Sequence, residues 1–393
     1  MSLLGQRVTV LGAGVAGLAV ARALALRGAQ VTVLERADAV REVGAGLQVS
    51  PNAAVVLQAL GLGDALTAVS QRAEAVELRD GLTGRVVTRL KVARLRPEHG
   101  YHFVHRADLI GLLLQGARDA GVGLRLAAPV TAVNLSGTCP TIMLDDRAEE
   151  AHLLIGADGL HSQTHAALNG HVAPFFTRQV AWRALIPGDG GPDVAEVHMG
   201  PGRHLVSYPL RGGAFRNIVA VEERNVWVEE GWSHRDDPQA IRAAFADYSP
   251  RVRGWLDQVS EVWLWGLFRH DVAQVWQKPV GTGGAAILGD AAHPTLPFLA
   301  QGAAMALEDA WVLAKHLGQT DSIAAGLAAY QSARLPRCTR IVAAAAANAR
   351  AYHLRGPVRS LAHIGLRLGG AVAPGLALSR FDWLYGHDVT TGG

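Results

Sequence analysis

Residues 7–36 read RVTVLGAGVAGLAVARALALRGAQVTVLER. Val8 and Val10 sit in a short β-branched run, which predicts a buried strand. Gly12, Gly14 and Gly17 follow with G-x-G-x-x-G spacing, and an apolar helical pattern through Leu18, Ala21, Leu24 and Leu26 stops at Gly28. A second β-branched run over residues 31–34 ends in Glu35. Gly12 permits the tight strand-to-helix turn, Gly14 lets a pyrophosphate approach the backbone, and Gly17 lets helix and strand pack closely. The phosphates then meet a helix N-terminus, where free N–H groups and the helix dipole favour negative charge. Gly12, Gly14, Val15, Ala16 and Gly17 are therefore cofactor-binding candidates. Glu35 lies 18 residues after Gly17, close to the ~20 expected of an acid that binds ribose hydroxyls. Strand, helix, second strand and acid all in place predict a dinucleotide site; a glycine-rich packing turn is the alternative.

Outward from this unit, 393 residues are too many for one ordinary core and predict two or three lobes. The net charge is only +3 and the basic residues are scattered, so nothing suggests a nucleic-acid surface. Cys139 and Cys338 have neither metal-ligand nor redox-pair spacing, and both are expected as buried, inert thiols in a reducing compartment. The first strand starts almost at once, so no signal peptide is expected and the location reads as cytoplasmic. No run of ~18 uncharged apolar residues occurs. The apolar stretch 361–378 is interrupted by Arg367, Gly369, Gly370, Pro374 and Gly375 and is expected as packed C-terminal helix and loop, with a membrane surface contact as the alternative.

After Glu35 the chain departs from a plain alternating pattern. Residues 44–46 read as a loop needing close backbone approach, and Ser50-Pro51-Asn52 opens a helix. Short strands at 75–79 and 85–89 then begin a second, mostly antiparallel layer. Residues 105–109 read as a loop leading into a helix, 124–126, 130–133 and 141–144 as strands, and 153–159 as a buried strand ending Gly-Ala-Asp-Gly. From 180 to 271 period-two strands dominate (180–186, 195–199, 204–210, 215–222 and 262–270), with a helical interlude at 238–256. A third buried strand, 285–290, ends in Gly-Asp; a helix starts near Gly302, and the remainder is Ala- and Leu-rich helix. Ligands of parallel α/β sheets bind beyond the carboxyl ends of strands, so Glu35, Asp158 and Asp290 can meet one extended ligand.

The ordered set GAGVAG (12–17) with Glu35-Arg36, GAGLQVSPN (44–52), His105-Arg106-Ala107-Asp108, GADGLHS (156–162) and GDAAHPTLPFLAQGAAMALEDA (289–310) covers nearly the whole chain. It resembles the single-component aromatic hydroxylases, flavin monooxygenases built like para-hydroxybenzoate hydroxylase, most closely the salicylate and 3-hydroxybenzoate hydroxylase branch. The resemblance implies an α/β fold in which a Rossmann-like FAD-binding domain (1–73, 98–178 and 272–320) is interleaved with a mostly antiparallel substrate-binding sheet domain (74–97 and 179–271), followed by a C-terminal helical region (321–393). It implies FAD, with NADH or NADPH as reductant and no second nucleotide domain. Glu35 would bind the adenosine ribose, Val130 would offer backbone to the adenine, and Arg41 and Arg106 would lie near the pyrophosphate or ribityl chain. Asp290 would hold a ribityl hydroxyl, and Asp158 would touch both FAD and the reductant's path. Arg36, Gly46 and Leu47, inside the matched motifs, join this set. Gly302 and Ala303 would let helix amides approach the flavin's pyrimidine edge, where reduced flavin is anionic, and Pro297 would wall the ring. For Arg41 and Arg106 the alternative is a surface salt bridge, and for Asp158 and Asp290 helix N-capping. His165 departs from the pattern, because the family usually has arginine there.

The implied chemistry hydroxylates a small phenolic acid through a flavin hydroperoxide, which requires a proton acceptor near the substrate hydroxyl and a dry pocket. Period two puts His204, Val206 and Tyr208 on one strand face, and an imidazole can accept a phenol proton at neutral pH. Tyr208 could donate to or relay from His204, and Gln301 could hydrogen-bond the substrate; the resemblance places a His, a Tyr and a Gln at equivalent positions. A satisfied sheet histidine and a core tyrosine are the alternatives. Arg183 could pair with a substrate carboxylate or be a solvated strand arginine. His293 reads as loop structure, and no metal spacing is present. Partners expected are the aromatic substrate and molecular oxygen, with the homodimer common in similar proteins, and neither nucleic acid nor membrane. Competing functions are a flavin oxidoreductase of other chemistry and a non-catalytic FAD-binding sensor; Trp263-Leu264-Trp265 lacks the Ile-Pro of a halogenase box.

Overall fold

The structure is a computed structural model and describes residues 3–40, 46–145, 147–226, 234–372 and 378–391. Arg41, a cofactor candidate, lies outside the described residues. The β-branched runs 8–10 and 31–33 form the strands Arg7–Leu11 and Gln30–Leu34, paired in parallel. A six-stranded sheet runs in the order Gln277–Val280, Gly283–Ile287, Leu153–Gly156, Arg7–Leu11, Gln30–Leu34, Gly123–Arg125. Only the edge strand Gln277–Val280 is antiparallel to its neighbour. This order places the carboxyl ends of four parallel strands side by side, at residues 34, 11, 156 and 287.

The period-two segments form an eight-stranded sheet: Arg235–Asp236, Val262–Arg269, Phe175–Pro187, Phe215–Glu223, Arg203–Leu210, Val194–Gly200, Ala75–Asp80, Val86–Leu90. Every pairing is antiparallel except that of Val194–Gly200 with Ala75–Asp80. Alternation divides the sheet's two faces. Trp182, Ala184, Leu205, Ile218 and Ala220 face outward and pack with Ile241, Phe245, Val252 and Trp255 from two short helices. Ala181, Val221, Trp265 and Leu267 face inward, against Leu296, Phe298 and Ala349.

The Val15–Ala25 helix packs on the Gly302–Gln319 helix, which in turn packs on a long helix, Ile323–Tyr352, that carries Pro336 within it. Some local expectations are corrected. No loop separates strand His102–His105 from the helix Arg106–Asp119, because His105 caps the helix itself, its Nδ1 accepting from Ala107 N (3.3 Å). The interlude 238–256 is two helices, Pro238–Ala244 and Pro250–Asp257, because Pro250 starts a new helix at its first position. Gly46–Val49, expected to open in a loop, is a strand that pairs with His102–His105. Cys338 is buried, but Cys139 is only half-buried. The apolar groups of 361–368 are not packed as expected: in the helix Gly356–Val372, Leu361, Ile364, Leu366 and Leu368 are exposed, while His363 and Arg359 reach Asp80; residues 373–377 lie outside the described residues. Among the described residues no helix is long and apolar enough to cross a membrane.

Candidate active site and cofactor cleft

The cleft lies at the strand ends. Gly12 has φ +96, a conformation glycine adopts without strain. A Cβ there would lie 2.5 Å from Ala157 O and 3.2 Å from Asp158 Cα, so the first turn runs directly against the end of Leu153–Gly156. A Cβ on Gly17 would lie 1.8 Å from Gly12 O. Gly14 is different: a Cβ there would meet nothing within 4 Å. It precedes the Val15–Ala25 helix, whose N-terminus has no side-chain cap and no acid in its first turn. The neighbouring Ala13 N donates to Glu35 Oε2 (2.8 Å), and Ala37 N to Glu35 Oε1 (3.0 Å), which locks the acid at the end of its strand beside the turn.

The other strand ends converge on the same place. A Cβ on Gly289 would lie 2.9 Å from Ala16 Cβ, so the Gly289–Ala291 turn abuts the first helix. Asp290 is exposed, yet burial by surrounding protein pushes its carboxyl above the usual range, against the opposing pull of His293, Arg106 and His270. Asp290 thus reaches solvent at the strand ends while protein surrounds its base. Asp158 accepts from Ser162 Oγ (2.5 Å) and Gln163 N (2.9 Å). Its carboxylate therefore engages the start of helix Gln163–Asn169, and burial raises its pKa. Val130 packs on the cluster holding Leu11 and Leu34, beside the glycine turn. Arg36 is exposed just beyond Glu35. At the far side Pro297, exposed, opens the Pro297–Leu299 turn, and the small half-buried Gly302 and Ala303 open a helix without a side-chain cap or acid in its first turn. Two uncapped long-helix N-termini with an open glycine between strand ends fit an elongated, doubly anionic dinucleotide such as FAD. His165, where arginine was expected, donates from Nδ1 to Ala291 O (2.7 Å), its ring 4.4 Å from that of His270.

The inward face of the large sheet supplies the rest. Its register sets His204, Val221, Ala181 and Trp265 in one row, and Val206, Val219, Arg183 and Trp263 in the next. Tyr208 and Asn217 fall one row further. Four residues of strand separate His204 from Tyr208 by roughly 13 Å, and their surroundings differ, so the suggested relay between them does not form. Tyr208 stacks on Phe103 (5.0 Å), and a Cβ on Gly46 would lie 2.6 Å from its ring; burial keeps its hydroxyl protonated well beyond neutral pH. Leu47 follows Gly46 in the same strand and is half-buried. His204 instead faces Phe298 and Tyr352 (5.3 and 5.2 Å between rings) and bonds His353. Arg183 lies over the Trp265 ring (4.1 Å).

Gln301 is turned inward. Its amide nitrogen donates to Ser50 Oγ (3.0 Å) and its oxygen accepts from Asn52 (3.1 Å), which also bonds Glu308 (2.6 Å). That network continues through Glu308 and Asp309 to Arg334 and Arg337. His293, Asp309 and Cys338 bring ligand atoms within 4.8 Å of one another. Arg334 already places its guanidinium on Asp309 (2.8 Å) and Cys338 (3.4 Å), so the group is an ion-pair network rather than a metal centre. Sequence reading missed Asn217, whose Oδ1 accepts from Gly46 N (2.8 Å). Period two along 215–223 held that signal, because it sets Asn217 with Val219 and Val221. Nothing local pointed to His353.

The family model described as an FAD binding domain matches residues 6–345. The 3-amino-4-hydroxybenzoate 2-monooxygenase PtmB3 of Streptomyces platensis is 34% identical, covering 98% of this chain and 96% of its own. The 3-hydroxybenzoate 6-hydroxylase of Klebsiella oxytoca is 32% identical, covering 97% and 96%. The solved structure of Klebsiella pneumoniae HpxO complexed with FAD and uric acid superposes with a TM-score of 0.81 at 24% identity, covering 94% of this chain and 95% of that one, which supports the fold. With a glycine turn, strand-end acids and uncapped helix starts lining one cleft, and with relatives matched over almost their full lengths, the chain belongs to the FAD-dependent aromatic hydroxylases of the FAD-binding-domain family.

Proposed function

We propose that this monooxygenase hydroxylates a small phenolic acid, that His204 takes the proton of the ring hydroxyl, and that NADH or NADPH is the reductant. The observation that carries the reading is the position of His204. A buried imidazole sits in an apolar row with Ala181, Val221 and Trp265, opposite Phe298. Burial first, and then His353, hold its pKa well below the ordinary imidazole value, so it is neutral at pH 7 and keeps a free lone pair. A ring that loses its hydroxyl proton is more electron-rich and attacks an electrophilic oxygen faster. FAD, when bound and reduced, supplies that activated oxygen. Arg183 stands two strands away on the same face, roughly 10 Å across the sheet. A base and a cation at that span suit one ring bearing a hydroxyl and a carboxylate. The acids in the relatives' names, 3-amino-4-hydroxybenzoate and 3-hydroxybenzoate, have that character.

The test is to give the FAD-loaded protein 3-amino-4-hydroxybenzoate, 3-hydroxybenzoate and salicylate. Nicotinamide oxidation, oxygen uptake and product mass are then followed. The expected result is stimulated oxidation and a hydroxylated product, heavier by one oxygen atom or, where the new hydroxyl replaces the carboxylate, by that atom less carbon dioxide; stimulated oxygen uptake with neither product refutes the proposal. His204→Ala should slow oxygenation about a hundredfold while anaerobic flavin reduction stays near the parent rate. Equal loss in both half-reactions, read by stopped-flow, would make His204 structural only.

A further inference from the structure

His204 does not stand alone. Its Nδ1 lies 2.8 Å from His353 Nε2, and His353 Nδ1 lies 3.0 Å from Glu223 Oε1. The three residues come from strand Arg203–Leu210, the end of helix Ile323–Tyr352 and the end of strand Phe215–Glu223. The line runs outward: the His353 side chain is 2% exposed, that of Glu223 41%, and Arg355 meets Glu223 at the surface (2.8 Å).

The outer end fixes every donor along the line. A carboxylate only accepts, so His353 must carry its hydrogen on Nδ1. Its Nε2 is then a lone pair, so His204 must carry its hydrogen on Nδ1 as well. The remaining lone pair, His204 Nε2, points away from His353. A single exposed acid thereby presets a buried imidazole as a base. Burial opposes ionisation of Glu223, but Arg355 and His353 hold its carboxyl below the usual range. Burial also lowers His353, so both imidazoles are neutral at pH 7.

We propose that Glu223 and His353 are a proton relay that sets the tautomer of His204 and conducts the substrate's hydroxyl proton to solvent. The proposal rests on His204 contacting the substrate. The substrate O–H bond breaks and its proton bonds to His204 Nε2. The Nδ1 proton of His204 passes to His353 Nε2, and the Nδ1 proton of His353 passes to Glu223, which releases it to water. Both imidazoles end neutral, the one buried charge left is the substrate phenolate, the electron-rich form of the ring, and no oxidant is involved. When the product hydroxyl takes a proton back, the same line runs inward and the resting tautomers return. A buried histidine whose own conjugate acid is disfavoured can serve as a base only if the proton moves on, and this line moves it. His353 and Glu223 are thus positioning residues that act through His204.

Two measurements test this. Nitrogen-15 histidine spectra of the FAD-loaded protein need no substrate, so they stand apart from the phenolic-acid reading; assignments come from His204→Gln and His353→Gln. The parent should show Nδ1–H tautomers at both positions. Glu223→Lys replaces the acceptor by a donor and should flip both to Nε2–H. With 3-amino-4-hydroxybenzoate as probe, His353→Ala should slow hydroxylation about tenfold to a hundredfold, leave anaerobic flavin reduction near the parent rate, and recover activity with added imidazole. A parent His204 protonated on Nε2, no flip in Glu223→Lys, or equal loss in both half-reactions without imidazole recovery would overturn the relay. Failure of the parent to hydroxylate any phenolic acid, with the tautomers as expected, would overturn the substrate reading instead.

Discussion

Gly14→Val folds as the parent chain does and retains no FAD. The backbone there is extended (φ −78, ψ −171), a conformation valine adopts readily. A Cβ would meet nothing within 4 Å, so the new side chain costs the protein little. It does occupy the space before the first turn of Val15–Ala25, where the free amides point. Each charge-assisted hydrogen bond lost there is worth ~1.5–3 kcal/mol, and the helix dipole adds about 0.3–1 kcal/mol. Two or three lost bonds amount to about 3–9 kcal/mol, at least about a hundredfold in affinity. The readout is flavin absorbance after gel filtration, beside an unchanged far-ultraviolet spectrum and melting curve for the cofactor-free chains. The neighbouring glycines cannot make this separation. Side chains at Gly12 or Gly17 would strike backbone at 2.5 and 1.8 Å, so those variants are damaged before any cofactor arrives. Parent-like flavin content in Gly14→Val would move the pyrophosphate elsewhere.

That contrast also shows what the sequence could and could not reveal. Periodicity and glycine spacing are local properties, so the strand–turn–helix–strand unit was legible, as were most strands of the large sheet. The strand Gly46–Val49 was not, because its partner lies at 102–105 and no local pattern states a pairing over that distance. The same physics governed the site. The face carrying His204, Val206 and Tyr208 followed from alternation alone. Which neighbour each would bond did not: His353 is 149 residues from His204. Gln301 was expected to reach the substrate, but its amide finds Ser50 and Asn52, some 250 positions earlier in the chain, and is buried with them. Pro250 did carry a readable signal, since proline at a first helical position marks a new start, and the interlude should have been divided there.

Asp309→Ala is expected to cost about 3–5 kcal/mol of stability, out of a total of roughly 5–15 kcal/mol for a folded domain. The Asp309 carboxylate is fully buried and accepts from Arg334 Nε (2.8 Å), His293 Nε2 (2.5 Å) and Gly289 N (3.1 Å). Burial disfavours its charge, but His293 and Arg334 hold its pKa down at about 2. For His293, burial is outweighed by Cys338 and Asp309, and its pKa lies well above the ordinary value. Without the carboxylate, Arg334 keeps Glu308 (2.6 Å), while His293 loses its anion. The Gly289 amide also loses its acceptor, which loosens the turn carrying Asp290, so FAD retention should fall with stability. The pH dependence identifies the cause. A folded pKa below the unfolded value of about 3.9 stabilises above that value and fades as pH falls toward 2. The raised His293 pKa contributes below about 6.5 and fades as pH rises through the folded value. The gap between parent and Asp309→Ala in urea unfolding should therefore be widest from about pH 4 to 6.5 and narrow toward pH 3. Asp309→Asn, which keeps an acceptor for Gly289, should lose the charge-dependent part and hold FAD better than Asp309→Ala does. A gap unchanged from pH 6 to pH 3 would assign the loss to packing rather than to the buried charge.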